Sequence, residues 1–266
     1  MKRTTYILIG LFIGGFVLLF AGMVAIYLNG KVKTGDVVLG GKTVSREFPP
    51  FKVLVLGESI PEDARGSYYR VWGRDFRMEI QPSQDEKNVF SFPEDAEKFL
   101  NIIQYGDTLK IMSSFHWKKQ GDGYNRTLYP GTWQLSVPSD IEFIANDMSD
   151  QEMILKNFSQ DSLTIDASAA VTVNNSHFKA FRVQRNGRQL KLESGSIGNL
   201  YLDIDRMGNW YSNPDHFTIH TEYLTGNKGS VELAKGECKR MYWLPKSQDS
   251  KLEVTLREKS CVVIGE

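Results

Sequence analysis

A short apolar phrase returns about every eighteen residues between residues 163 and 233, and this period restricts the possible folds more than any other feature. Leu163-Thr-Ile-Asp166 recurs as Phe181-Arg-Val-Gln184, Leu200-Tyr-Leu-Asp203 and Phe217-Thr-Ile-His220, at spacings of 18, 19 and 17. A second series runs between them at about 19 residues: Val171-Thr-Val173, Leu190-Lys-Leu192, then Trp210 and Tyr211. Self-similarity near twenty residues is the mark of a solenoid, whose turns bury their apolar faces by stacking on one another.

Asn186-Gly187 tests that reading, because Asn-Gly between alternating apolar residues is also the strongest short hairpin signal. A hairpin there sets Arg182 opposite Lys191 and Arg185 opposite Arg188. Like charges directly across a strand pair are destabilising. As a solenoid corner the same dipeptide supplies left-handed backbone, and Arg182 stacks between Thr164 and Tyr201 of neighbouring turns. The expected fold is therefore all-β, a right-handed parallel β-helix or similar solenoid. A β-sandwich of hairpins is the alternative.

Upstream, period-2 runs read as strands: Phe51 to Leu56, Phe76 to Ile80, Leu109 to Ile111 and Trp133 to Val137. Glu94 to Ile103, after Pro93, reads as a short helix. Leu252 to Leu256 and Cys261 to Ile264 repeat the strand grammar near the end.

The N-terminus sets the expected location. Ile7 to Leu28 carries no charge and is flanked by Lys2, Arg3, Lys31 and Lys33. At 1.5 Å per residue it reaches about 33 Å, enough for a bilayer core of roughly 30 Å. The run is long for a cleaved signal peptide, and its exit lacks a clear small-x-small site. The expected order is a cytoplasmic tail at 1–5, a transmembrane signal anchor at 6–28, a tether at 29–47 and an extracytoplasmic solenoid at 48–266. If the segment is cleaved, the domain is exported. Gly10 and Gly14 have dimerisation spacing, but glycine is common in membrane helices and the pair is read as no more than that. With 32 basic and 32 acidic residues, no global field draws the chain to nucleic acid. Cys238 and Cys261 form a disulfide or remain thiols; spacing does not decide.

With those strands in place, the chain resembles the auto-transporter adhesin "head GIN" domain family of Bacteroidetes-type envelope proteins. The resemblance rests on the opening strand Phe51-Lys-Val-Leu-Val-Leu56 behind an apolar segment and on Gly106-Asp-Thr-Leu-Lys-Ile111. It is completed by the turns at Asp161 to Asp166, Phe181 to Gln184 and Gly198 to Leu202. It implies a right-handed parallel β-helix in the cell envelope with an adhesive or binding role. The chain is richer in Trp and Tyr than the family's simplest members and lacks their long Gly/Ser-rich repeats.

Several constellations hint at chemistry. Asp166, Gln184, Asp203 and His220 share one phase of the repeat and would form an outward polar ladder. β-helix carbohydrate-active enzymes use paired carboxylates in such a stripe as acid and base, although outward strand positions are polar by default. His216 and His220 have helical metal spacing, but on a strand they lie roughly 13 Å apart, too far to share an ion. Ser176-His-Phe-Lys179 and Lys33-Thr-Gly35 match two penicillin-binding fragments in reversed order, which that chemistry does not accept. Trp117, Lys118 and Tyr124, in a polar Gly-punctuated stretch, are the candidate ligand-binding residues; the competing account packs Trp117 as a cap. No metal or cofactor is expected. The expected function is a non-catalytic, membrane-tethered module that binds or scaffolds envelope glycans or proteins. The alternative is an enzyme using outward aspartates.

Overall fold

The computed structural model of the chain describes residues 12–24, 35–59, 68–70, 73–118, 126–233 and 238–256. Residues 12–24 are helical and expose Phe12, Phe16, Leu18 and Leu19. Thirteen helical residues reach about 20 Å, and among the described residues no helix is long and apolar enough to cross a membrane. The flanks of the expected anchor, at 6–11 and 25–28, lie outside the described residues.

The other described residues are all-β apart from short 3-10 turns at Glu94–Phe99 and Ile204–Arg206. Two parallel ladders carry the architecture. The first runs in space through Thr108–Ser113, Val53–Glu58, Phe143–Asn146 and Ser159–Ala167, then the front half of Ser176–Leu192, Gly195–Asp203, Phe217–Gly226 and Cys238–Pro245. The second joins Thr132–Val137, Phe76–Pro82, Gln151–Lys156, Ala170–Asn174, the rear half of Ser176–Leu192 and Met207–Ser212. Ser176–Leu192 bends to serve both.

Alternation decides what lies inside. Leu54, Ile144, Ile165, Val183 and Leu202 point inward from the first ladder, and Met78, Met153, Val171 and Leu190 from the second. All are buried in one continuous cluster. Burying one such side chain contributes roughly 1.5–3 kcal/mol, so the inward rows hold successive turns together. At the N-terminal end the stack closes on an aromatic cluster around Trp133, which meets the rings of Phe76, Phe90, Phe92 and Phe115 at 4.6 to 6.4 Å.

The repeat aligns as read through three turns. Leu163 pairs with Phe181 and Phe181 with Leu200. Val171 pairs with Leu190 and Leu190 with Trp210. The fourth turn slips: Leu200 lies beside Glu222, while Phe217 lies beside Gly195. Period-2 alternation makes Phe217-Thr-Ile look like the earlier phrases, although it belongs to the preceding stretch of the turn.

Asn186-Gly187 is not a hairpin turn; it lies inside Ser176–Leu192, with parallel neighbours on both sides. Nor does it supply left-handed backbone. That role falls to Asn157, Asn175 and Gly195, with φ of 58°, 47° and 130°. Asn side chains form local hydrogen bonds that make this region accessible. Here Asn175 Nδ2 donates to Asn157 Oδ1 at 2.7 Å, one turn back. Gly187 answers a different need: a Cβ there would sit 2.9 Å from the Ser168 carbonyl oxygen.

Two further differences concern boundaries. Thr43–Phe48 pairs antiparallel with Asn88–Pro93, and Gly35–Val38 pairs with Arg126–Tyr129, so much of the stretch read as a tether is in sheets. The expected helix from Glu94 is a single 3-10 segment to Phe99, followed by the strand Leu100–Tyr105. Leu100, Ile102 and Gln104 alternate with Asn101, Ile103 and Tyr105 in burial, a strand period that overrides the local start signal.

Candidate functional site

The outer side of the first ladder presents one residue per turn at each register position. One column reads Phe143, Thr164, Arg182, Tyr201, Tyr223 and Tyr242. Parallel strands lie about 4.8 Å apart, so side chains in register stack. The Tyr201 and Tyr223 rings lie 4.8 Å apart and 10° from parallel; Tyr223 and Tyr242 follow at 5.2 Å and 13°. The Arg182 guanidinium caps the stair 4.5 Å over Tyr201. Arg182 thus sits between Thr164 and Tyr201, as the charge reasoning required. The stair itself escaped sequence reading. Its three tyrosines are 22 and 19 residues apart, and only the register aligns them.

Of the expected polar ladder, the fold brings together less. A bulge after Ile165 sets Asp166 beside Arg185 and leaves Gln184 as the extra residue. Asp203 pairs with Thr225. His220 falls between Ile219 and Thr221, whose partners are Ile197 and Asn199, so the slip carries it to a different column. The two aspartates are two strand spacings apart, roughly 10 Å.

Each aspartate also lies against a cation. Arg185 donates to Asp166 and, at 2.5 Å, to Asp147. Partial burial works against the Arg185 charge, but its hydrogen bonds to Asp147 and then to Asp166 outweigh that and raise its pKa. Lys246 donates to Asp203 at 2.6 Å and to Asp205 at 3.0 Å. Its bond to Asp203 holds its pKa above the usual amine value. Both expected ladder carboxylates are thus engaged in surface ion pairs.

Asp205 is the most strongly held of them. It accepts from the Asn227 backbone N–H at 2.7 Å, from Asn227 Nδ2 at 2.8 Å and from Lys246. The Asn227 backbone bond first, then Lys246, bring its pKa down to about 2. A carboxylate with a lowered folded-state pKa stabilises the fold above its unfolded value and loses that contribution as pH falls. We expect the wild-type melting temperature to exceed that of Asp205→Asn at pH 5, with the gap closing between about pH 4 and pH 2. Thermal unfolding by circular dichroism across that range checks this; a constant gap would contradict it.

The other expected site residues are dispersed. Trp117 and Lys118 lie on the strand His116–Lys118, opposite Tyr69 and Tyr68 of Tyr68–Arg70. Tyr124 lies outside the described residues, as does Cys261. Cys238 opens the strand Cys238–Pro245. His216 closes the turn after Asn213, its N–H donating to the Asn213 carbonyl, whereas the His220 ring bonds Thr221 Oγ1 at 2.9 Å. Among the described residues, no three His, Cys, Asp or Glu side chains gather as metal ligands would.

No family model matches the chain, and no curated protein does. Among solved structures, the chain is similar to a candidate adhesin from Bacteroides fragilis. Identity is 12%, the match covers 83% of this chain and 98% of that one, and the TM-score is 0.50. It also matches a candidate lipid-binding protein from Parabacteroides distasonis at 10% identity, covering 83% and 100%, with a TM-score of 0.37. At such identity the Bacteroides fragilis likeness concerns the fold alone.

Proposed function

We propose that this chain is a non-catalytic, adhesin-like binding module of the cell envelope, tethered to the membrane by its N-terminal apolar segment. The observation that carries this reading is the tyrosine stair capped by Arg182, an ordered aromatic surface built across successive turns. Ion pairing of Asp166 and Asp203 supports binding over hydrolysis. The uncharged run from Ile7 to Leu28, and the exposed apolar side chains of helix 12–24, support the tether. The ladders of parallel turns support a β-helix, for which we adopt the right hand, the hand nearly all parallel β-crossovers take. The head GIN family is the family reading we retain, with the Bacteroides fragilis fold likeness as its structural support.

The binding partners are envelope glycans or proteins, with the strand carrying Trp117 and Lys118 as a second contact. The full chain in detergent should retain glycans on an array without cleaving them, and Trp117→Ala should weaken retention about tenfold, as for loss of one anchoring aromatic. Sugar release that disappears in Asp166→Asn with Asp203→Asn would replace the module with an enzyme. Protection of a C-terminal tag from external protease on intact cells would overturn the topology.

A further inference from the structure

We infer that the stair and its bordering arginines bind an anionic polysaccharide running along the stack; this rests on the binding-module reading above. The ring faces of Tyr201 and Tyr223 are used up on each other, on Tyr242 and on Arg182. What the column offers a partner is a row of three ring edges and hydroxyls, one per turn, over roughly 10 Å at about 4.8 Å per rung, with Arg182 one rung further on. Such a row suits an extended chain with a short repeat. It does not suit an apolar side chain seeking a pocket.

Charge selects the kind of chain. Arg240 lies in register with Thr221 and Asn199, two residues before Tyr242 on the same strand, and Lys239 precedes it. Arg182, Lys239 and Arg240 are all exposed. None of them makes an ion pair with a described residue, whereas Lys179, Arg185 and Lys246 around them are taken up by Asp161, Asp166, Asp147, Asp203 and Asp205. Stacking on Tyr201 orders the Arg182 guanidinium, whose in-plane donors remain suited to bidentate recognition of an acidic group. The result is a narrow cationic border on a hydroxyl-bearing stripe with acidic residues on its flanks. An anionic bilayer would have to meet those flanks as well. A single polymer can follow the stripe.

The test uses the full chain in detergent and labelled oligogalacturonate, read by fluorescence anisotropy. A labelled neutral malto-oligosaccharide and phosphatidylglycerol vesicles serve as comparisons. We expect the acidic oligomer to bind about tenfold more tightly than the neutral one, with affinity falling as salt rises. Arg182→Gln with Arg240→Gln should remove about tenfold of that affinity, and the Lys pair should restore only part of it, since charge returns without the fork. Lys191→Gln, on the other ladder, should change affinity by less than about twofold. Equal binding of both oligomers, an unchanged Gln pair or preference for vesicles each overturns the inference. If neutral glycans still bind, the module reading survives that failure. If neither oligomer and no arrayed glycan is retained, this inference falls and the module reading keeps only proteins as partners.

Discussion

Trp133→Ala should lower the unfolding free energy by roughly 3–5 kcal/mol, the range for emptying a large aromatic from a packed core. Trp133 is fully buried, and its ring fills the centre of the aromatic cluster at the N-terminal end of the stack. Phe76 meets it edge-on at 4.6 Å, Phe90 at 5.8 Å and Phe115 at 6.2 Å. Its Nε1 donates to the Pro130 carbonyl at 3.1 Å, so the indole leaves no buried donor unpaired. Alanine removes all these contacts at once, and the surrounding rings come from separate stretches of chain that cannot collapse together. The change also reaches the strand that joins Phe76–Pro82 to Asn88–Pro93. Urea unfolding followed by far-UV circular dichroism measures the loss. A value below about 1 kcal/mol would mean that the cluster does not close the stack as a packed core.

Gly195→Ala is the second large effect, expected at roughly 2–4 kcal/mol, and its origin is backbone geometry. Gly195 has φ of 130°, a region L side chains rarely enter. A Cβ there would stand 1.9 Å from the Ser176 carbonyl oxygen and 2.8 Å from its nitrogen. The obstacle is main chain of the turn below, so no side-chain rotation relieves it. The same corner is held by Ser194 Oγ, which accepts from the Asn175 N–H at 2.8 Å and donates to Asn174 Oδ1 at 2.6 Å. Moving Ser176 would also disturb Phe158, whose N–H donates to Ser176 Oγ. Gly106→Ala is the control. Gly106 has φ of 53° but nothing within 4 Å of a Cβ, so it should cost only about 1–2 kcal/mol for left-handed backbone. Equal losses at both sites would mean that close approach of turns is not what Gly195 serves.

These corners show where sequence reading succeeds and where it stops. Val171, Leu190 and Trp210 line up as their spacing implied, because similar lengths of chain separate these inward residues of the second ladder. Phe217 did not, because a corner of different length shifts register by several residues while leaving apolar alternation intact. Gln184 dropped out of its column for a related reason: one bulge residue moves every later residue of its strand over by one position. Asn186-Gly187 misled more subtly. The dipeptide permits left-handed backbone, but Gly187 is needed for clearance from Ser168, and the left-handed positions went to Asn157, Asn175 and Gly195. The long-range pairings that set Val53–Glu58 between Thr108–Ser113 and Phe143–Asn146 leave no trace in local pattern.

By itself the sequence determined the all-β class, the apolar N-terminal run, the period of the stack and the inward residues of its middle turns. Those depend on alternation and repeat length, which are local properties of the chain. Only the tertiary structure decided which outward residues become neighbours, because that depends on the length of every corner between them. The tyrosine stair, the Arg185 and Lys246 ion pairs and the separation of His220 from Asp203 all stem from those lengths.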